Sequence, residues 1–214
     1  MKKLSLLLLY TGIACLAAAQ IKPANIFGDD MVLQRNKPIP VWGWASPGEK
    51  VTVTFHQQSK TVVAAKDGKL MTRINPEKEG CPYELSLTGK NKTVLKNIYV
   101  GDVWICSGQS NMEWPLANAQ NGAAEVANAN YPLIRHIKIL NETAGRPKDD
   151  IGQTDWRICT QLNAGNFTAV GYFFAKKIFS ETNIPVGIIN TSWGGSMVET
   201  WTGLDAFQQS PDFK

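Results

Sequence analysis

Two short polar stretches hold the residues best suited to chemistry. In VWICSGQSNM, Ser110 follows an apolar run by a few residues, with Gly108 two positions before it and Asn111 after it. A nucleophilic serine needs its Oγ exposed at the carboxyl end of a strand. It also needs backbone N–H groups facing the oxygen on which charge develops. Small neighbours permit that approach, and a helix beginning at Ser110 would add free first-turn amides and a positive dipole end. The same spacing suits a serine that merely caps a helix. The second stretch, Asn190-Thr191-Ser192-Trp193-Gly194-Gly195-Ser196, also leaves an apolar run. Paired glycines let backbone amides approach a substrate oxygen. Because open α/β sheets bind ligands outside the carboxyl ends of their strands, the two stretches could wall one cleft. A tight turn with Trp193 packed over it fits the pattern equally well.

A serine nucleophile also needs a base, and the chain has two histidines, His56 and His136. His56 falls among predicted strands and His136 inside LIRHIKI, where a sheet would fix its side chain. Neither has an acid in a triad pattern beside it, so both read as structural.

The elements that must position these residues divide into two regions. Over residues 20–100, KPIPVWGWA, KVTVTFHQ, KTVVAA, KLMTRI, YELSLTG and KTVLKNIYV follow one another at the spacing of antiparallel strands. Val51, Val53 and Phe55 alternate with Thr52 and Thr54, giving one buried and one wetter face. Pro47-Gly48 and Gly89 punctuate the strands, and Asp67-Gly68 suits a tight hairpin. The expected fold here is an antiparallel β-sandwich. From Gly101 the pattern changes. VWICS reads as a strand buried on both faces, with LIRHIKI and VGIINTS as later strands of the same sheet. Between them Phe167, Val170, Phe174 and Ile178 recur at helical spacing, and Asn183 and Pro185 end the helix. Strand, helix, strand predicts an α/β domain over 101–214 with parallel pairing, and a boundary near Tyr99 to Asp102.

Residues 1–19 read as a secretory signal: Lys2 and Lys3 precede an apolar run too short to span a bilayer, and Ala17-Ala18-Ala19 supplies the cleavage site before Gln20. The alternative is lipoprotein processing at Cys15, although Gly12 stands where a bulky apolar residue is expected. Nothing after residue 20 resembles a membrane span, so the mature chain is expected to be periplasmic or secreted. At 214 residues, 43% hydrophobic with 7 Trp, the chain has material for a sizeable core. Setting aside Lys2 and Lys3 leaves 20 basic side chains against 18 acidic and lowers the formal charge from +4 to +2. That small, scattered excess argues against nucleic acid or an anionic membrane as partner. Cys81, Cys106 and Cys159 remain after the signal, an odd number that allows one disulfide at most. Their spacing matches no metal site, and Cys106 reads as a small buried hydrophobe. The sequence carries no signal for oligomeric state.

With these residues in view, Gly108-Gln109-Ser110-Asn111-Met112 after VGDVWICS resembles the first signature block of the sialate O-acetylesterase group of the SGNH hydrolases. IFGDDMVLQRNKPIPVWGWA, FTAVGYFFAKKI and GIINTSWGGSMVETW resemble further stretches of that group, in order, over nearly the whole mature chain. The resemblance implies an SGNH-hydrolase-like, flavodoxin-like three-layer α/β domain preceded by the β-sandwich. It implies that Ser110 is the nucleophile and that its own amide belongs to the oxyanion hole. Gly194 or Gly195, with Gly195 favoured, would supply another donor. No metal or organic cofactor is implied, and the substrate would be an acetylated glycan or sialic acid. The group's Tyr-Gln-Gly-Glu and Asp-x-x-His segments do not occur in the 214 residues. Together with LDAFQQSPDFK, which shows no closing strand or helix, their absence predicts a C-terminally truncated chain that is nearly inert alone. A serine without its histidine stays protonated near neutral pH. Two rival classes are a carbohydrate-binding or degenerate protein using Trp42, Trp44 or Trp114 to stack on sugars, and a peptidase or lipase-like hydrolase with the same serine logic.

Overall fold

The computed structural model describes residues 20–213; residues 1–19, with Cys15 and the expected secretory signal and cleavage site, lie outside them. In chain order the strands of the first half are β1 (Lys22–Pro23), β2 (Val32–Gln34), β3 (Ile39–Trp44), β4 (Lys50–Phe55), β5 (Gln58–Val63), β6 (Lys69–Ile74), β7 (Gly80–Thr88) and β8 (Lys92–Cys106). There follow α1 (Ser110–Glu113), α2 (Gly122–Ala127), β9 (Asn130–Lys138), β10 (Arg157–Thr160), α3 (Ala169–Thr182), β11 (Val186–Asn190) and α4 (Leu204–Gln209). The result is a mixed α/β fold with two sheets. One has three strands in the order β1-β3-β6. The other runs β10-β9-β11-β8-β7-β4-β5, with β2 also paired to β8.

Alternation in β4 works as its sequence suggests. Val51, Val53 and Phe55 are fully buried, while the Thr52 and Thr54 hydroxyls meet Thr61 and Ser59 across to β5 at 3.0 Å each. The buried face shares one core with Ile39, Val41, Leu70 and Ile74 of the three-stranded sheet and with Leu85, Leu87, Ile98 and Val100 of β7 and β8. A second core lies under α3, where Tyr172 and Ala175 meet Cys106, Ile134, Val186 and Ile188 of the sheet.

The strand β8 joins these two regions. Its first part pairs antiparallel with β7, Tyr99–Gly101 pairs parallel with β2, and Asp102–Cys106 pairs parallel with β11. The change of pattern near Tyr99 to Asp102 therefore falls inside one continuous strand of 15 residues. Gly101 is required there by close approach: a Cβ would lie 2.0 Å from the Pro185 carbonyl oxygen, which accepts a hydrogen bond from the Asp102 amide at 2.9 Å.

Four local expectations are corrected. The turn at Asp67-Gly68 joins β5 to β6, but β6 pairs with β3 rather than β5, so it links the two sheets instead of closing a hairpin. The hairpin is β4–β5, closed by His56 and Gln57 with His56 at φ 51°. The helix stripe is displaced. α3 buries Ala169, Gly171, Tyr172 and Ala175, whereas Val170 is 49% exposed and Phe174 39%. Its small residues let the helix lie low on the sheet, and Phe174 packs edge-on against Trp104 at 4.9 Å. The antiparallel edge strand β10, with four residues, was too short to read from its pattern. Finally, LDAFQQ forms the short helix α4. Asn183, at φ 55°, does end α3.

Candidate active site

Three parallel strands deliver the site. Asn190 of β11 stands in register with both Cys106 of β8 and Lys138 of β9, so the three carboxyl ends finish level. Both polar stretches leave from this edge.

Gly108 adopts φ 140°, a conformation that L side chains rarely take, and reverses the chain leaving β8. Gln109 is the N-cap of α1 and makes no side-chain capping bond. Ser110 is the first helical residue and is exposed, so the capping reading of Ser110 fails. α1 is one turn of four residues, too short for the dipole contribution the sequence suggested to be large.

The two stretches are laced together. The Trp193 amide donates to the Gly108 carbonyl at 2.9 Å, and the Gln109 side-chain amide donates to the Ser196 carbonyl. The Gly194 amide donates to Glu113 Oε2 at 2.6 Å. Ser110 Oγ lies 3.4 Å from where a Cβ on Gly194 would stand. The structure thus brings Ser110 and Gly194 to one spot, with the Gly194 amide committed to Glu113. Gly195, at φ 73°, has open space around the position of a side chain.

Glu113 and Lys138 form the fastening beneath. Lys138 Nζ reaches Glu113 Oε1 at 3.4 Å and Ser192 Oγ at 3.1 Å, and it donates to the Ser192 carbonyl. Buried Ser192 is held by Asn190, whose Oδ1 accepts from the Ser192 amide at 3.0 Å and from its hydroxyl at 2.6 Å. The Gly194 amide, aided by Asn141 and Lys138, holds the Glu113 carboxyl below the usual carboxylate range. Sequence reasoning missed both residues. Glu113 follows Ser110 by the Ser-x-x-Glu spacing of a capping box, which was the available signal, but its carboxylate turns to Gly194 instead. Lys138 carries no signal without the strand register.

Neither histidine hydrogen-bonds to Ser110. His56 sits at the β4–β5 turn, 3.5 Å from Glu77, with its ring tilted 40° against Tyr83 at 4.8 Å. His136 is 3% exposed and lies flat on Phe167 at 4.4 Å. Burial, with Lys138 adding, drives its pKa down to about 3, so it is neutral at physiological pH. Its Nε2 has no hydrogen-bond partner among the described residues. Of the three tryptophans considered for sugar stacking, Trp42 meets Phe27 edge-on at 4.6 Å, Trp44 is half-buried, and Trp114 is 52% exposed. Cys106 and Cys159 are both free and buried, and burial pushes the Cys159 thiol up to about 11. Among the described residues no group of three or more His, Cys, Asp or Glu could hold a metal ion, and no helix is long and apolar enough to cross a membrane.

The carboxyl ends of β8 and β11 set Ser110 beside the Gly194 turn, and the chain can be compared with known proteins on that basis. A crystallised carbohydrate acetylesterase from Xanthomonas citri superposes with a TM-score of 0.86 and 38% sequence identity, over 91% of this chain and 45% of that one. The sialate O-acetylesterase of Homo sapiens is 32% identical over 84% of this chain and 38% of its own length. That of Rattus norvegicus is 30% identical over 96% of this chain and 42% of its own. No family model matches. The chain belongs to the sialate O-acetylesterase-like group, and it spans about two fifths of the length of the curated relatives it matches.

Proposed function

We propose that this chain is the nucleophile-bearing part of a carbohydrate O-acetylesterase of the SGNH type. The observation that carries the reading is the meeting of Ser110 Oγ with the Gly194 turn at the carboxyl ends of β8 and β11. The kinship with sialate O-acetylesterases and a carbohydrate acetylesterase supports it. In this reading the Ser110 hydroxyl loses its proton to a base and its oxygen attacks the acetyl carbonyl. The oxyanion of the tetrahedral intermediate is met by the Ser110 amide and, since Glu113 occupies Gly194, by the Gly195 amide. Collapse expels the sugar alkoxide, which takes up the proton from the base, and leaves acetyl-Ser110. Water then attacks the acetyl-serine and releases acetate. The segments expected to supply the base, its acid partner and the glutamine that completes the oxyanion hole do not occur among these 214 residues. Losing one oxyanion donor typically costs about 100-fold to 1000-fold in turnover, and losing a triad member costs more. The 214-residue chain is therefore nearly inert alone. We also infer that the chain is exported, with cleavage after Ala19.

The test is paired. A longer chain containing an Asp-x-x-His segment should release acetate from acetylated glycans and aryl acetates and lose this with Ser110→Ala. The 214-residue chain should give no Ser110-dependent turnover of an aryl acetate. Acetate release by the longer chain that survives Ser110→Ala removes Ser110 as nucleophile. Ser110-dependent turnover by the short chain overturns its inertness.

A further inference from the structure

Beside the Ser110 turn lies a cleft of about 450 Å³ between β9, β10 and the 163–167 turn, lined by His136, Lys138, Gln153, Arg157, Asn163 and Asn166 among others. Its volume is that of a small-molecule site. It adjoins the candidate active site through one side chain: Lys138 lines the cleft and also touches Glu113 and Ser192. Resting on the acetylesterase reading, we propose that this cleft is a subsite for a neutral, hydroxyl-rich glycosyl unit of the substrate.

Charge decides against an acidic sugar. The ammonium of Lys138 is matched by Glu113 at 3.4 Å and further engaged by Ser192. The guanidinium of Arg157 is matched by Asp155, another lining residue, at 3.2 Å. Each cation has its own carboxylate, so a ligand carboxylate would meet an acid beside each cation. What the cleft offers is neutral hydrogen bonding from the Gln153, Asn163 and Asn166 amides, with the Thr154 hydroxyl left as an acceptor because its proton goes to the Lys138 carbonyl at 2.8 Å. Asn163 already donates to the Ile158 carbonyl at 3.0 Å, which fixes its amide plane.

His136 supplies an independent sign. Buried polar atoms in folded proteins almost always have a partner, yet its Nε2 has none among the described residues. The ring is held flat against Phe167 and is neutral, so one nitrogen donates and the other accepts. A sugar hydroxyl, which both donates and accepts, satisfies Nε2 in either tautomer, whereas an ionised carboxylate can only accept.

The experiment is a titration of the isotope-labelled 214-residue chain followed by amide NMR, with xylotriose as the neutral probe and N-acetylneuraminic acid as the anionic one. Xylotriose should shift the side-chain amides of Gln153, Asn163 and Asn166. His136→Phe, which keeps the stacked ring and removes the nitrogen, should weaken binding about fivefold, the loss of one hydrogen bond. Asn166→Trp, which fills the mouth from an exposed position, should abolish it. Each variant's own amide spectrum shows whether it is folded, and Asn166→Trp keeps the test decisive if His136→Phe is not. No shift at these amides with tens of millimolar xylotriose overturns the subsite, as does tighter binding of N-acetylneuraminic acid or unchanged affinity in a folded Asn166→Trp chain. The titration does not depend on turnover and should be unaltered in Ser110→Ala. Loss of the esterase reading would appear in acetate release by a longer chain, and loss of the subsite in the NMR titration.

Discussion

The buried imidazole of His136 should make the fold sensitive to mild acid. Its pKa of about 3 in the folded chain lies far below the ordinary 6.5. Between those values the unfolded chain binds a proton that the folded chain does not. Stability therefore rises with pH through this window, is fully present above about pH 6.5, and is lost as pH falls toward 3. Each unit of separation is worth about 1.4 kcal/mol. Moving from pH 7 to 5.5 should remove about 1 kcal/mol through this group, and moving to 4.5 about 2.5 kcal/mol. Against a total of roughly 5–15 kcal/mol for a folded domain, that is a large fraction. His136→Phe deletes the titration while keeping the flat contact with Phe167. Its packing cost is an offset common to every pH and cancels in the comparison. The assay is denaturant unfolding followed by tryptophan fluorescence at pH 7.0, 5.5 and 4.5. The original chain should lose about 2.5 kcal/mol more than His136→Phe between the extremes. Parallel profiles, within about 0.5 kcal/mol, would show that His136 is already solvated or paired in the folded chain, and would refute the reasoning.

Glu113→Ala should release the Gly194 amide and leave Lys138 without its carboxylate. One charge-assisted hydrogen bond at a half-exposed site is worth about 1 kcal/mol. In a chain of this size that corresponds to a fall of about 2–4 °C in Tm by calorimetry, and an unchanged Tm would remove Glu113 as the fastening between the two turns. Expression in a bacterial host with export should give a protein whose N-terminal residue by mass spectrometry is Gln20. A lipid-modified N-terminus at Cys15, or retention of Met1, would contradict cleavage after Ala19.

The features legible in the sequence are those decided locally. Ser110 and the Gly194-Gly195 pair stood out because polar, glycine-containing turns interrupt apolar runs, and the chain does bring those turns together. The alternation of Val51, Val53 and Phe55 predicted their burial because a two-residue period needs no partner to define it. Glu113 and Lys138 were illegible for the opposite reason. Their roles depend on which strands lie side by side, and Lys138 reaches Ser192 only because β9 stands level with β11. Helical spacing alone points to the wrong face of α3, because it ranks large apolar side chains above small ones. Ala169, Gly171 and Ala175 let the helix settle on the sheet, and contact depth outweighed the size of the side chains. The turn at Asp67-Gly68 has the chemistry of a reversal, but its residues do not encode whether the next strand stays in the same sheet.

The continuity of β8 has a consequence for insertions and deletions. Successive residues of a strand point to opposite faces, so losing or gaining one residue inverts every side chain beyond that point unless a bulge absorbs it. In β8 the inversion could not stay local. A deletion among the residues that place Ile98 and Val100 in the first core would also rotate Cys106 out of the second and turn the Ser110 exit away from Gly194. The strand acts as a shared reading frame for the two cores and the nucleophile. Tolerated length changes should collect in the turns on either side of β8, and a one-residue deletion within it should abolish folding of both halves together.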